Sequence, residues 1–451
     1  MPREKIDLLQ APVKTCFHQY LLPAIMGLVI KSLFIMGDTL IIGRGLGADG
    51  LGAIALAIPF FALFTAIAMM IGIGGAAVMA VQFGRGQYEE GQALLSQSLL
   101  LTLLLATGLS VLAWIGLHDL LAFLGATGGV AEQAEHYLRM MLKFFPVYSL
   151  CWVLSCFIRN DSNPGLAMGA MAIAAITNLG LDSLFIFGFG WGIESAAVAT
   201  GIAQLLLFGL LSLHFFSGRG HLKLSLKGIG LRKLSKTLPI GLPTFFIEST
   251  LAVTGLMFNY VLLRQGGELY VSAYSIMINV GVLVTFILIG IGQAAQPIIS
   301  FNYGAGASGR IRQTLLISLR YALITALTAL GVMMVVSHEV ASWFAVDNPE
   351  LAELSAQALR YFFVALPFIA VNLLTATAFQ AMQQPFIGTL ISILRGFVLV
   401  MIGLVFLPKW LPESGVWLCI LFAECLAAGI SVVQLKRLLA ETRQGFILET
   451  V

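Results

Sequence analysis

The sequence predicts an all-α integral membrane protein, with twelve transmembrane helices in two six-helix bundles related by a pseudo-two-fold axis along the membrane normal. Three observations predict it. Of 451 residues, 59% are hydrophobic and only 10% are charged, where a soluble domain carries about 25% charged. The apolar residues fall into twelve long runs. The second six runs repeat three features of the first six, in the same order.

The mean hydropathy of +0.95 places most of the chain in lipid. There every backbone N–H and C=O needs an internal partner, so a span is a helix or part of a closed barrel. A helix crosses the hydrocarbon with about 20 apolar residues. The runs have that length and lack the ten-residue alternation of barrel strands, which excludes a barrel. The spans lie near 16–43, 51–82, 93–117, 133–157, 165–187, 195–216, 239–263, 270–300, 314–336, 358–381, 387–408 and 415–435. Several exceed the bilayer thickness and are expected to tilt or to extend beyond it. The first run is too long for a signal-peptide core and is expected to be retained as a span. The cysteines, Cys16, Cys151, Cys156, Cys419 and Cys425, fall in or beside apolar runs without metal-ligand spacing and read as small hydrophobes.

Span six is followed by "SGRGHLKLSLKGIGLRKLSK", residues 217–236. It holds Arg219, Lys223, Lys227, Arg232, Lys233 and Lys236 and no acid. The positive-inside rule makes it cytoplasmic, and an even number of spans on each side puts both termini inside. Arg85, Arg159, Arg310 and Arg312 then fall inside. Asp119, Glu132, Glu194, Glu339, Asp347 and Glu350 fall outside, with Arg44, Arg264 and Lys409 as exceptions. The basic stretch divides the chain into an N-terminal bundle (1–216), a linker (217–238) and a C-terminal bundle (239–451).

The halves share motifs in order. "IGIGGAAVMAVQFGRG" (71–86) matches "IGIGQAAQPIISFNYGAG" (289–306). Pro146 and Pro367 are 221 residues apart, as are Pro164 and Pro385. Six spans per half make the repeat parallel. Internal repeats of this kind mark transporters, with the site near the midplane.

A charge at the bilayer centre costs about 2.5–3.5 kcal/mol on insertion scales. The ionisable groups well inside the spans are Lys31, Asp38, Asp182, Glu248, Arg395 and Glu424. Arg139, Lys143 and Arg360 lie nearer the ends, where they can snorkel. Asn178 is one helical turn before Asp182, on the same face. Asp38, Asn178 and Asp182, all from the first half, form a candidate oxygen-lined pocket. Such a pocket holds a hard cation such as sodium, or a proton, since burial and a neighbouring carboxylate both favour the neutral acid. Two interacting acids titrate as a pair. A structural role for each acid remains open at this point. Arg395 is expected to neutralise Glu424 or Glu248 in a structural ion pair. At Glu248, structural pairing and substrate contact are both open. Lys31, seven residues before Asp38, is a candidate counter-ion for it. The glycines at 72–75 lie in an apolar run and are expected to pack helices closely rather than bind a nucleotide.

Four motifs carry a family resemblance: "GDTLIIGRGLG" (37–47), "FIRNDSNPGLAM" (157–168), "ITNLGLDSLFIFGFGWGIESAAVATGIAQ" (176–204) and "GIGQAAQPIISFNYGAG" (290–306). With them the chain resembles the multidrug and toxic compound extrusion (MATE) family over nearly its whole length, and within it the bacterial DinF-like and MepA-like branches. The resemblance implies a cation site in the first half, at the positions of Asp38, Asn178, Asp182 and Thr200. The family places an Asn on span 4 where this chain has Ser155, a hydroxyl in place of an amide. It also implies a hinge in span 1 at Pro23. The acid that the NorM-like branch adds on span 10 is missing here, so coupling is expected in the first half.

The function expected is therefore antiport: export of organic, often cationic or amphipathic compounds by alternating access, coupled to H+ or Na+. No cofactor and no metal beyond a sodium ion at Asp38 and Asp182 are expected, and no enzyme activity. The expected partners are small organic substrates and membrane lipids, not nucleic acid. A monomer in the bacterial cytoplasmic (inner) membrane is expected. The alternatives are a lipid-linked oligosaccharide or polysaccharide flippase of the same superfamily, which an all-basic cavity would favour, and a non-transporting scaffold, which gains nothing from buried acids.

Overall fold

The structure is a computed structural model that describes residues 7–216, 220–224, 231–345 and 348–444; the side chains of 231–236, 251 and 252 are outside that description. Of the linker cations, Arg219 and Lys227 lie outside it, as do the side chains of Arg232, Lys233 and Lys236, and so does Asp347. The helices are α1 (Val13–Gly84), α2 (Tyr88–Ile115), the short α3 (Leu117–Phe123), α4 (Gly128–Asn160), α5 (Pro164–Ser183) and α6 (Ile193–Ser212), then α7 (Leu231–Gly304), α8 (Ser308–Phe344), α9 (Pro349–Ala381), α10 (Pro385–Ile393), α11 (Leu399–Trp410) and α12 (Gly415–Arg443). A π-helical turn, Leu184–Gly188, continues α5, and a second, Leu394–Val398, joins α10 to α11.

Ten of these stretches are long and apolar enough to cross a membrane. Two of the ten are each two spans in series. α1 has 72 residues and α7 has 74, each more than 100 Å at about 1.5 Å per residue. Each is broken by one glycine in the left-handed region, Gly47 (φ 73°) and Gly267 (φ 63°), a conformation any Cβ disfavours. The expected loops at 44–50 and 264–269 are thus reduced to a single-residue break. The described residues therefore carry twelve spans.

The repeat is written in the backbone. Left-handed residues recur at Gly47 and Gly267, at Gly86 and Gly306, and at the non-glycine pair Ser162 and Gln383. Pro146 and Pro367 both lie inside helices, α4 and α9. Pro164 and Pro385 both open helices at the first turn, where the missing N–H costs nothing.

The chain divides into two compact units. One contains Met26–Gly241, the other Asp7–Ile25 and Leu242–Val451. The start of the first span thus packs with the second unit. Within that unit, Arg310 of α8 donates to the carbonyls of Leu8 (2.8 Å) and Ala11 (2.6 Å), and His18 meets the Tyr321 hydroxyl at 2.6 Å.

Lipid orders the helix faces. On α2 the buried positions include Ser98, Thr102, Ala106 and Ser110, four residues apart, while Leu104, Leu112 and Ile115 are well exposed. Small and hydroxyl side chains let backbones approach, and leucines face hydrocarbon. The core of the first unit joins α1, α4 and α6 through Phe64, Tyr137, Phe145, Ile193 and Ala197. The Phe64 and Phe145 rings stack at 4.2 Å. The glycines at 72–75 pack helices as expected: a Cβ on Gly74 would stand 2.8 Å from the Gly241 nitrogen.

A polar clamp holds residues 220–222 to the first unit. Asp161, the C-cap of α4, accepts from the backbone N–H groups of His221 and Leu222, both at 2.9 Å. It also meets His214 Nε2 at 2.9 Å, with both side chains fully buried. Asn163 Nδ2 lies 3.2 Å from His214 Nδ1, which assigns the ring proton to Nε2, facing the carboxylate. A Cβ on Gly220 would stand 1.9 Å from Asp161 Oδ2, so only glycine fits.

In the second unit the buried charges are paired. Arg395, inside the second π-turn, grips Glu424 of α12 through Nε (3.0 Å) and through its terminal nitrogen (2.5 Å). Asn372 of α9 donates to Glu424 Oε2 at 2.7 Å and accepts from Ser431 at 2.7 Å. Arg395 therefore neutralises Glu424, the first of the two partners the sequence left open.

Two outcomes are expected. Gly220→Ala or Asp161→Ala should release residues 220–224 and speed tryptic cleavage after Lys223 about tenfold, since charge-assisted hydrogen bonds contribute about 1.5–3 kcal/mol. Arg395→Met should lower stability by about 3–5 kcal/mol by stranding the Glu424 carboxylate, and Arg395→Met with Glu424→Leu should recover much of it, both read by thermal unfolding in detergent.

Candidate functional site

The acid pocket is assembled by close packing of α1 on α5. Gly37 and Gly45 lie two turns apart on α1. A Cβ on Gly37 would stand 2.9 Å from Leu179 Cδ2, and one on Gly45 would stand 2.1 Å from Ile186 Cγ2. Asp38 is carried on the stretch these contacts hold, against the end of α5 that bears Asp182. The two carboxyls come within hydrogen-bonding reach of each other once one of them is protonated. Asn178 and Asp182 are both fully buried. The π-turn begins two residues after Asp182, with Phe189 N–H bonding the Leu184 carbonyl at 3.0 Å. Such turns insert a residue into a helix and often accompany functional positions.

α6 and α4 close the pocket. The Asn178 amide donates to the Thr200 hydroxyl at 3.2 Å. Thr200 in turn lies within hydrogen-bonding reach of the Tyr137 hydroxyl, and Tyr137 feels the charge of both Asp38 and Asp182. Four acceptor oxygens of this set, Asp38 Oδ1, Asn178 Oδ1 and both oxygens of Asp182, are buried and receive no hydrogen bond. A proton or a hard cation satisfies such oxygens; a further acceptor does not. Among the described residues no group of three or more His, Cys, Asp or Glu could hold a metal ion. The donor set is oxygen throughout, which suits a hard cation.

The structure thus brings together Asp38, Asn178, Asp182 and Thr200. It does not bring Ser155 to them. Ser155 is buried on α4, but eighteen residues from Tyr137, about 27 Å along the helix axis. A helix cannot turn both residues into one small pocket. Lys31 also points elsewhere: its ammonium lies 4.8 Å from the centroid of the Trp152 ring, fifteen residues along α4 from Tyr137, in a cation–π contact. Glu248 is half-buried on α7 and makes no ion pair among the described residues. Arg395 and Glu424 belong to the other unit and to each other. Pro23 lies within α1, and the boundary between the units falls three residues after it.

Sequence reasoning missed Tyr137. One phenol among ten tyrosines carries no local signal. Its place on α4, beside His136, is set by tertiary packing.

The chain is similar to the Multidrug export protein MepA of Staphylococcus aureus, 23% identical over 433 residues that cover 95% of each chain. It is similar to the protein of the same name from Staphylococcus haemolyticus, 24% identical over 422 residues, 93% of this chain and 92% of that one. Among solved structures, a multidrug resistance MATE family transporter of the MOP superfamily in an outward-facing conformation superposes with a TM-score of 0.90 at 21% identity, over 98% of this chain and 100% of that one. A MOP superfamily transporter from Pyrococcus furiosus, described by a reversed polarity of its binding pocket, superposes with a TM-score of 0.90 at 22% identity, over 98% and 99%. These superpositions bear on the fold. The MatE family model matches the chain twice, at residues 23–184 and at 243–406, one match in each half. With both halves matched and most of the chain covered, the protein belongs to the MatE family.

Proposed function

We propose that this chain is a multidrug exporter that works as a cation-coupled antiporter of organic, often cationic or amphipathic compounds. Its relatives of similar length are named as multidrug export proteins. The observation that carries the coupling reading is the set of four buried acceptor oxygens around Asp38 and Asp182 that receive no donor. Two carboxylates this close repel each other in a medium of low dielectric. Uptake of one proton or one sodium ion removes the repulsion and supplies what the oxygens lack.

In this reading the ion acts through the helices that hold the pocket. A proton on the pair makes a carboxyl donor, which draws α1 and α5 together at Asp38 and Asp182. A sodium ion would be held by the Asp38, Asp182 and Asn178 oxygens, with the Thr200 hydroxyl beside them. Asn178 and Thr200, joined by a hydrogen bond, carry the change to α6, and Tyr137, within reach of Thr200, carries it to α4. α1 bends at Pro23, where the ring removes one N–H from the helical ladder. The two states differ in affinity for the ion, and that difference does the work of export. The protein operates as a monomer in the bacterial cytoplasmic membrane, with both termini inside.

Asp38→Asn and Asp182→Asn are each expected to abolish drug efflux in cells while the protein stays in the membrane at wild-type amounts. Full efflux by both variants sinks the coupling reading. Tyr137→Phe is expected to keep the fold and lower the transport rate about tenfold, an effect of the size of one lost buried hydrogen bond. Replacing sodium by choline at constant pH separates the ions: loss of transport rules out a purely proton-driven cycle.

A further inference from the structure

A second cavity lies in the same unit, at the Gly129 end of α4. Its volume is about 640 Å³, inside the range of about 300–1,000 Å³ that small-molecule sites occupy. α1 contributes Leu46, α4 contributes Glu132, Gln133 and His136, and the segment that enters α6 contributes Trp191 and Glu194. None of these residues takes part in the acid pocket.

The wall carries two carboxylates and one imidazole. Glu132 is exposed, and Glu194 is half exposed and paired across the cavity with His136. The Asp49 carboxylate adds a third negative group at the rim, 3.0 Å from where a Cβ on Gly129 would stand. The cations of this end are turned away. Arg139 and Lys143 both lie over the Trp114 ring of α2, 5.6 Å from its centroid, and Arg139 is paired with Glu135. Arg44 of α1 is about 200° round the helix from Leu46. His118 is paired with Glu135 and not with the cavity carboxylates.

One further feature points to a ligand. The Trp191 indole is 51% exposed, although its ring is braced by Phe185 and Phe189 at 5.0 and 5.1 Å. A rigid, open aromatic face beside carboxylates is the arrangement that recognises a cation by its charge and its flat body together.

We propose that this cavity binds an organic cation with an aromatic body, between the Glu132 and Glu194 carboxylates, with the Trp191 indole as platform. The site needs no coupling ion and stands whether or not the acid pair drives transport. It is a place where an exported cation is held beside the acid pocket, toward the Gly129 end of α4 and the start of α6.

The test uses the full chain purified in detergent, with ethidium as the cationic probe and phenanthridine, its uncharged parent ring, as the comparison at pH 8. Ethidium is expected to quench a component of the tryptophan emission that Trp191→Phe lacks. Glu132→Gln with Glu194→Gln is expected to weaken that binding at least tenfold, and raised salt to weaken it in the parent protein. Phenanthridine binding should be unchanged by the two substitutions. Asp38→Asn should leave the Trp191 quenching intact, whatever it does to efflux, which separates this site from the coupling reading. Should the double variant fail to fold, Glu132→Gln alone, at an exposed position, is expected to weaken ethidium about threefold. Unchanged ethidium affinity in the carboxylate variants, quenching that survives Trp191→Phe, or quenching lost in Asp38→Asn would each overturn the proposal.

Discussion

Hydrocarbon offers a polar group nothing to bond to, and the rest of this structure follows from that. Each span is a helix because only a helix satisfies its own backbone. The spans turn leucine outward and serine, threonine, alanine and glycine inward, the reverse of a soluble bundle. With no water to solvate a stray carboxylate, two arrangements of the buried acids stand out: an acid paired with a guanidinium, and an acid buried without a donor. Glu424 represents the first case, with Arg395 and Asn372 on its oxygens. Asp182 represents the second, with both oxygens buried and without a donor.

The duplication makes that contrast sharper. The two halves keep the same backbone marks: a left-handed glycine that splits a long helix, a left-handed residue before each helix-opening proline, and a proline inside the preceding helix. These are steric requirements, and each half meets them independently. The polar content has diverged. The first unit places two acids against each other. The second places an acid against a guanidinium. One backbone plan therefore supports an acid set against an acid in one half and an acid set against a guanidinium in the other.

Much of the acid pocket was legible before any coordinates. Asp38, Asn178 and Asp182 stand out because an oxygen-bearing side chain in an apolar run is costly, and the four-residue step from Asn178 to Asp182 fixes a shared face. Thr200 entered through the family motif and is hydrogen-bonded to Asn178. Ser155 entered by the same route and lies far down α4, because a motif position carries no distance. Lys31 looked like a counter-ion for Asp38 on helical spacing alone. Spacing places the Cα, and the long side chain then reached the Trp152 ring. Tyr137 had no signal of its own, since a phenol in a membrane helix is ordinary until its neighbours are known.

The amino-acid sequence by itself determined that the chain lives in a membrane, that it crosses twelve times in two matched halves, and which few ionisable side chains it buries. Those properties are one-dimensional: hydropathy, spacing and repetition are read along the chain. The tertiary structure alone decided which buried groups meet. It set Asp38 against Asp182 through the glycine contacts of α1 on α5, added Tyr137 from α4, joined Arg395 to Glu424, and grouped Asp7–Ile25 with the second unit. Each of these depends on which helix faces which and at what height, and the pattern along one helix holds no record of its neighbour.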